Sequence, residues 1–169
     1  MTLTDIGTLI IALATTCSLL YISRQVNVAR QQAKGQFLLA LDAQFEKFNP
    51  ITIRLVNEQP FMPTGTEWPE IWGLMSVFER INIMVEDKIL DVGLVDRLHG
   101  FRLISIIANE GIYQRLGTTS AEWKDFIDLC YAIADYRSEN TPDPADEAFI
   151  KRVHSLNKQA RRVKNPFQF

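Results

Sequence analysis

Four ionisable side chains in the middle of this sequence could together carry out acid–base chemistry. Glu79 and Glu86 are seven residues apart, a spacing that places both carboxylates on one face of a helix. His99 and Arg102 follow in the next predicted helix. Two carboxylates that face a histidine and an arginine could exchange protons with a substrate, so these four are the weak candidates for a catalytic set. The alternative, and the commoner case, is a structural ion pair, because an unpaired buried charge is costly.

No other pattern in the sequence indicates a catalytic centre. The chain has no nucleophile elbow, no phosphate-binding glycine loop and no dinucleotide fingerprint. Its two histidines, His99 and His154, are far apart, and its cysteines, Cys17 and Cys130, form no familiar zinc pattern. A di-metal bundle would need Glu-x-x-His pairs on facing helices, and none occurs. We therefore expect neither a metal nor a cofactor, and we favour a protein that is not an enzyme.

The candidate residues must be positioned by helices, and the first of these is an uncharged run from Ile6 to Ser23. A helix of that length covers ~27 Å, close to the hydrocarbon thickness of a bilayer. An export signal would begin with basic residues and end at a small-x-small cleavage site, whereas Asp5 precedes this run and no such site follows it. The run therefore predicts a transmembrane anchor over residues 1–23, with the first buried helix of a soluble domain as the alternative.

Basic residues give this anchor an orientation. Arg24, Arg30 and Lys34 follow the run, and no acidic residue occurs between the run and Asp42. Lysine and arginine close to a span remain on the cytoplasmic side. We therefore expect a single-pass protein of the plasma (inner) membrane, with its N-terminus outside and its C-terminal domain in the cytoplasm. Small residues four apart in the run, such as Ala14 and Ser18, would also allow two spans to pack together.

Beyond the anchor the sequence predicts only helices, so the fold class is all-α. A juxtamembrane amphipathic helix is expected over 24–48, a bundle of about five helices over 49–164, and a short tail over 165–169. Breakers and caps place the bundle helices at 50–57, at 67–86, from Asp91 to about 109, after a Thr119–Glu122 capping box, and after Asp143-Pro144.

Two details of the bundle also follow from the pattern. The helix over 67–86 carries an apolar stripe and further apolar residues off it, including Trp72 and Ile83, so we expect it to be central and buried. Gly111 and Gly117 are interpreted as helix terminators.

The last helix carries a strongly basic face. It could lie against anionic lipid headgroups, at ~1 kcal/mol for each basic residue near the surface. The alternative, which we favour, is a solvated outer face on a helix whose heptad seam packs inward. With the three cations after the anchor, the candidate membrane-surface residues are Arg24, Arg30, Lys34, Lys151, Arg152, Lys158, Arg161, Arg162 and Lys164.

At this point the layout resembles a bacterial domain family of unknown function. The likeness is carried by "VFERINIMVEDKILD" and a later "EWKDFIDLCYAIADYR", both behind a short N-terminal span. In that family a Phe-Glu pair, here Phe78-Glu79, precedes a helix break near the position of Asp91, and a tryptophan-containing helix, here with Trp123, comes later. The resemblance implies small single-span membrane proteins with a helical cytoplasmic domain. It supplies no activity and no catalytic residue.

The sequence thus leads to two main hypotheses of function. The first is a membrane-anchored interaction or scaffold module that meets membrane lipid and a protein partner or a second copy of itself, which would make it homo-oligomeric. The alternative is an enzyme that uses the Glu/His/Arg cluster between helices 67–86 and 91–109. The net charge of −2, without basic residues interleaved with aromatics, gives no reason to expect nucleic-acid binding.

Overall fold

The described part of the chain is helical throughout, which confirms the all-α class. A computed structural model describes residues 3–57, 61, 63–140 and 143–164, with side chains from 13 to 160 within these ranges except Ala145. No strand occurs among these residues. The helices are α1 (Leu3–Glu46), α2 (Asn49–Asn57), α3 (Trp68–Glu86), α4 (Val92–Ala108), α5 (Glu110–Thr118), α6 (Lys124–Asn140) and α7 (Glu147–Lys164), with a 3₁₀ turn at Pro144–Asp146.

The chain divides into two compact units, Met1–Leu41 and Asp42–Phe169. The described residues of the first unit are one helix, most of α1, so the predicted anchor and juxtamembrane helix are joined without a break. The reason is local: Gly35 is the only helix-weakening residue between Ser23 and Asn49. Within the residues searched, the structure contains no helix with the length and apolarity that crossing a membrane requires. The side chains of residues 6–12 of the predicted span are not among the described side chains.

The boundaries of α2, α3 and α4 agree with the sequence prediction to within a residue or two. At the start of α4 the carboxylate of Asp91 accepts a hydrogen bond from the backbone N–H of Leu94 at 3.1 Å, so the predicted cap is confirmed.

The capping box predicted at Thr119–Glu122 is wrong. Thr119 follows the last residue of α5, where its hydroxyl donates to the carbonyl of Arg115 at 3.0 Å, and α6 begins only at Lys124. Gly111 and Gly117 lie inside α5 instead of ending helices.

The cap that the sequence analysis overlooked at this point is Asn109. Its side-chain oxygen accepts from the N–H of Ile112 at 3.1 Å and starts α5 directly after α4. Its amide nitrogen also donates to the carbonyl of Phe61 at 2.7 Å. Because one buried amide satisfies both a helix end and a loop carbonyl, this asparagine sets the turn that the glycines were expected to set.

In the second unit α6 packs against α3, α4 and α7. At 100° per residue its buried residues cover an arc of about 160°: Phe126, Ile127, Leu129, Cys130, Ile133 and Ala134. The expectation that the helix over 67–86 would be central is only partly met, since Trp72 and Ile83 of α3 are 37% and 48% exposed. Of the stripe predicted on this helix, Ile71, Leu74, Phe78 and Ile81 are buried, whereas its last member, Val85, is half-buried.

A largely buried ion triad fastens α4 to α6 and to the 3₁₀ turn. Arg137 donates from Nε to Asp96 Oδ1 at 2.8 Å and from Nη1 to both carboxylate oxygens of Asp146, at 2.7 and 2.9 Å. A Cβ on Gly100 would overlap Asp96 Oδ1 and lie 3.1 Å from Arg137 Nη2. The triad therefore depends on a glycine at position 100.

We predict that Gly100→Ala destabilises the second unit by about 1–3 kcal/mol, because the added methyl group must displace a side chain held by a buried ion pair. Urea unfolding followed by tryptophan fluorescence measures this directly, since Trp68, Trp72 and Trp123 all lie in that unit. Gly35→Ala is the matched control: its Cβ would meet nothing within 4 Å, so the transition should not move to lower urea. Equal urea midpoints for Gly100→Ala and the wild type would show that the triad accommodates the added methyl group without a loss in the free energy of unfolding.

Candidate functional site

The residues predicted for chemistry are arranged around a buried row of aromatic rings. Phe45, in the last turn of α1, lies between Phe78 of α3 and His99 of α4, with ring centroids 5.0 and 4.4 Å away. Phe126 of α6 continues the row at 6.1 Å from Phe78 in an edge-on arrangement. Rings at these separations attract each other beyond the area they bury, so four helices meet through this row.

His99 is the polar end of the row and is only 3% exposed. Arg102 Nη1 lies 3.3 Å from His99 Nδ1. Because a guanidinium can only donate, Nδ1 must accept, and the proton of the neutral ring is assigned to Nε2. Asp42 Oδ1 is 3.9 Å from Nε2, beyond hydrogen-bonding distance.

These surroundings favour the neutral form of His99. The pKa of His99 is lowered from 6.5 to about 4; burial is the main cause, the charge of Arg102 adds to the lowering, and Asp42 opposes it. A second proton on Nδ1 would also point at the N–H groups of Arg102. His99 is therefore a neutral, packed imidazole near pH 7.

Arg102 covers the outer side of the same group. Its guanidinium carbon lies 5.0 Å from the ring centroid of Phe45 and 4.6 Å from that of Phe101, both within the range of a cation–π contact. Burial lowers the pKa of the guanidinium and the neighbouring Asp42 carboxylate raises it. The side chain closes the aromatic row against solvent at this edge.

The two carboxylates of the candidate set lie in other surroundings. Burial raises the pKa of Glu79, the charge of Asp125 on α6 raises it further, and a hydrogen bond with Ser76 opposes both. Glu86 is exposed and accepts from the amide of Asn82 at 3.0 Å. Its charge acts on Lys124 of α6, whose pKa is raised mainly by its hydrogen bond with Asp128.

The structure therefore brings His99 and Arg102 together and gives Glu79 and Glu86 different electrostatic partners. In the described part of the chain the two pairs share no charged neighbour, and α6 packs against both α3 and α4. Nor do the described residues contain a group of three or more His, Cys, Asp and Glu that could hold a metal ion. What the arrangement can do is pack and orient, since the neutral His99 ring is shielded from solvent.

Sequence reasoning missed the two residues that complete this group, Phe45 and Asp42. Phe45 lies in the amphipathic helix predicted over 24–48, where it shares an apolar stripe with Phe37 and Phe48, but its partner His99 is 54 positions further along the chain. No local spacing rule connects them. The one available signal was the sequence of three phenylalanines, Phe37, Phe45 and Phe48, which marks that stripe as a packing surface.

The candidate membrane-surface residues fall into three groups. Arg24, Arg30, Lys151 and Lys158 are exposed, and Lys34 is half-buried. Arg152 is engaged within the bundle: its Nη1 donates to the carbonyls of Ile107 and Ala108, both at 3.1 Å, and its Nη2 to Glu110 at 2.8 Å. It thus satisfies carbonyls at the C-terminus of α4. The side chains of Arg161, Arg162 and Lys164 lie outside the described part.

Comparison with known proteins identifies no relative: no family model, no curated protein and no solved structure matches this chain. The resemblance to a bacterial family of unknown function stays a prediction.

We predict that the second unit becomes less stable as pH falls from about 6.5 to about 4, because of His99. In this window the unfolded chain binds a proton on that ring before the folded chain does, so the stability present above pH 6.5 is lost as the pH approaches 4. The loss from this residue is about 3 kcal/mol, at 1.36 kcal/mol per pKa unit.

The measurement is urea unfolding of wild type and His99→Phe at about pH 7.5 and about pH 4.5, where other groups titrate equally in both proteins. The phenylalanine keeps a ring against Phe45 and removes the titratable group. The variant should lose about 2.5 kcal/mol less than the wild type over this range, since about two pKa units are crossed before pH 4.5. The same loss in both proteins would show that His99 already titrates normally when folded.

Proposed function

We propose that this protein is a membrane-anchored helical interaction module, in which residues 6–23 cross the inner membrane and the bundle is held in the cytoplasm. The observation that supports this most strongly is the exposure of large apolar side chains along the first part of α1. Leu13, Leu19, Leu20, Tyr21 and Ile22 are each 53–68% exposed. In water such a surface would be unfavourable, at ~25 cal/mol per Å² of apolar area.

Their directions favour lipid as the cover. At 100° per residue, positions 19, 20, 21 and 22 point to different sides of the helix, so a single partner surface could not cover all of them. Hydrocarbon surrounds a helix from every side. The hydroxyl of Ser18 donates to the carbonyl of Ala14 at 2.8 Å, which meets the need of a polar group in hydrocarbon for an internal partner.

The charges that follow support the orientation. Arg24 and Arg30 are exposed immediately after the apolar residues, and the first acidic residue, Asp42, comes at the start of the second unit. With the cations on the cytoplasmic side, the second unit would lie in the cytoplasm.

The bundle supports the interaction part of the proposal. On α4, Leu98 and Phe101 are three residues apart on one face, and Phe101 is 51% exposed with the Arg102 guanidinium over its ring. An aromatic residue beside an arginine is typical of protein interfaces. No contact of the described residues gives comparable support to the enzyme hypothesis.

We predict that the full-length protein sediments with membranes and resists extraction at alkaline pH, and that the double variant Leu13→Arg with Leu20→Arg moves to the soluble fraction. An arginine at position 13 would cost about 2.5–3.5 kcal/mol near the centre of a bilayer, and one at position 20, closer to the end of the span, adds a smaller cost. Leu39→Arg is the matched control, because Leu39 is an equally exposed leucine of the same helix outside the run.

Membrane association should survive Leu39→Arg and be lost in the double variant. If the wild type is found in the soluble fraction, or if the double variant remains in the membrane, residues 6–23 are not the anchor.

A further inference from the structure

One uncharged seam begins in the last turns of the apolar run and continues along the part of α1 that follows it. We define the α1 seam by the residues Leu19, Ile22, Val26, Ala29 and Ala33. Their spacings of three, four, three and four residues keep them on one face, as in the heptad repeat of a coiled coil. All five side chains are exposed.

Four of the charged and amide side chains of this stretch lie on the other side of the helix, and Gln25 and Gln32 lie beside the seam. Arg24, Asn27, Gln31 and Lys34 fall opposite the seam at 100° per residue. Arg30 lies beside the seam, and Val28 lies off it. A surface apolar on one face and polar on the other differs from residues 19–22, which are apolar all round, and it suits a single helical partner.

We infer that the seam binds the seam of a second copy of this chain, forming a parallel pair of α1 helices that begins at the inner end of the proposed span and continues beneath the membrane. This inference rests on the proposed anchor, which would hold both copies in one membrane with the same direction.

The residues of the seam suit a copy of itself. Leu19, Ile22 and Val26 are bulky, whereas Ala29 and Ala33 are small, so two identical helices in register meet large residue to large and small to small. At the alanines the backbones can approach closely. In a two-fold arrangement the same patch of each copy forms the interface, so every favourable contact of the seam occurs twice.

The flanking side chains allow the parallel arrangement without like-charge contact. With Val26 and Ala33 at equivalent heptad positions, Gln25 of one copy lies opposite Arg30 of the other. The amide oxygen of glutamine can accept from the guanidinium, and the two Arg30 side chains lie on opposite sides of the pair. No acidic residue is needed for this contact.

The size of the seam explains why the membrane matters. From Leu19 to Ala33 the helix is about 21 Å long and about 10 Å across, a footprint on the order of 200 Å². A stable interface in solution buries about 800 Å² on each partner. The seam is therefore too small to hold two free chains together. Confinement to one membrane raises the effective concentration of the second copy, so a smaller interface is sufficient for pairing.

Disulfide crosslinking of the full-length chain in membranes tests this seam. Cys17→Ser removes the exposed cysteine, and Cys130 is buried. Single cysteines are then introduced on the seam, as Val26→Cys, Ala29→Cys and Ala33→Cys. The controls off the seam are Asn27→Cys, Val28→Cys and Gln31→Cys, of which Val28→Cys replaces an exposed apolar residue of similar character.

We expect a several-fold excess of disulfide-linked dimer at all three seam positions over all three controls after mild oxidation. Similar crosslinking at seam and control positions, or no dimer at either, would overturn the inference. Dimer at only one seam position would overturn the parallel register, because antiparallel helices bring like residues together only at their crossing point. Crosslinking is scored in whichever fraction contains the protein, so a failed anchor and a failed seam give different results.

Discussion

The second unit depends on the burial of Phe45 between Phe78 and His99. This ring belongs to the last turn of α1, and through its two neighbours it ties that turn to α3 and α4, while Phe126 extends the contact to α6. Its position also determines the state of His99, since an imidazole packed against a phenylalanine and capped by Arg102 is held neutral. Two of the four residues that the sequence offers as a catalytic set, His99 and Arg102, are thus held by each other and by the Phe45 ring.

The polar contacts around this core have the same character. Asp96, Arg137 and Asp146 form a triad, Asn109 joins a loop to a helix start, and Arg152 satisfies the carbonyls that end α4. Each of these groups is largely removed from water and has a partner from a different helix or loop. Such contacts fix how the helices are arranged, because a misplaced helix would leave a buried polar group unsatisfied. These contacts therefore hold the exposed side chains of the bundle in fixed relative positions.

Sequence reasoning succeeded where the physical cause was local. The Asp91 cap and the α3 stripe each depend on residues within one or two turns, and both were predicted. It failed where the cause was distant: Arg152 reaches carbonyls 44 and 45 positions away, and His99 packs on a residue 54 positions earlier. The cap predicted at Thr119 was wrong because a threonine hydroxyl can also donate to a carbonyl at the end of the preceding helix, as it does here to Arg115. For the four candidate site residues, spacing relates Glu79 to Glu86 on α3 and His99 to Arg102 on α4, but it does not show which residues of other helices lie against each pair.

The proposed function depends on α1 having two different environments along one continuous helix, hydrocarbon around residues 6–23 and water around most of residues 24–40. Hydrogen–deuterium exchange of the full-length chain in lipid vesicles tests this most directly, because both segments are helical and differ only in access to water. Because hydrocarbon excludes water, we expect the amides of residues 6–23 to exchange far more slowly than those of residues 24–40. Equal exchange rates in the two segments would contradict the anchor.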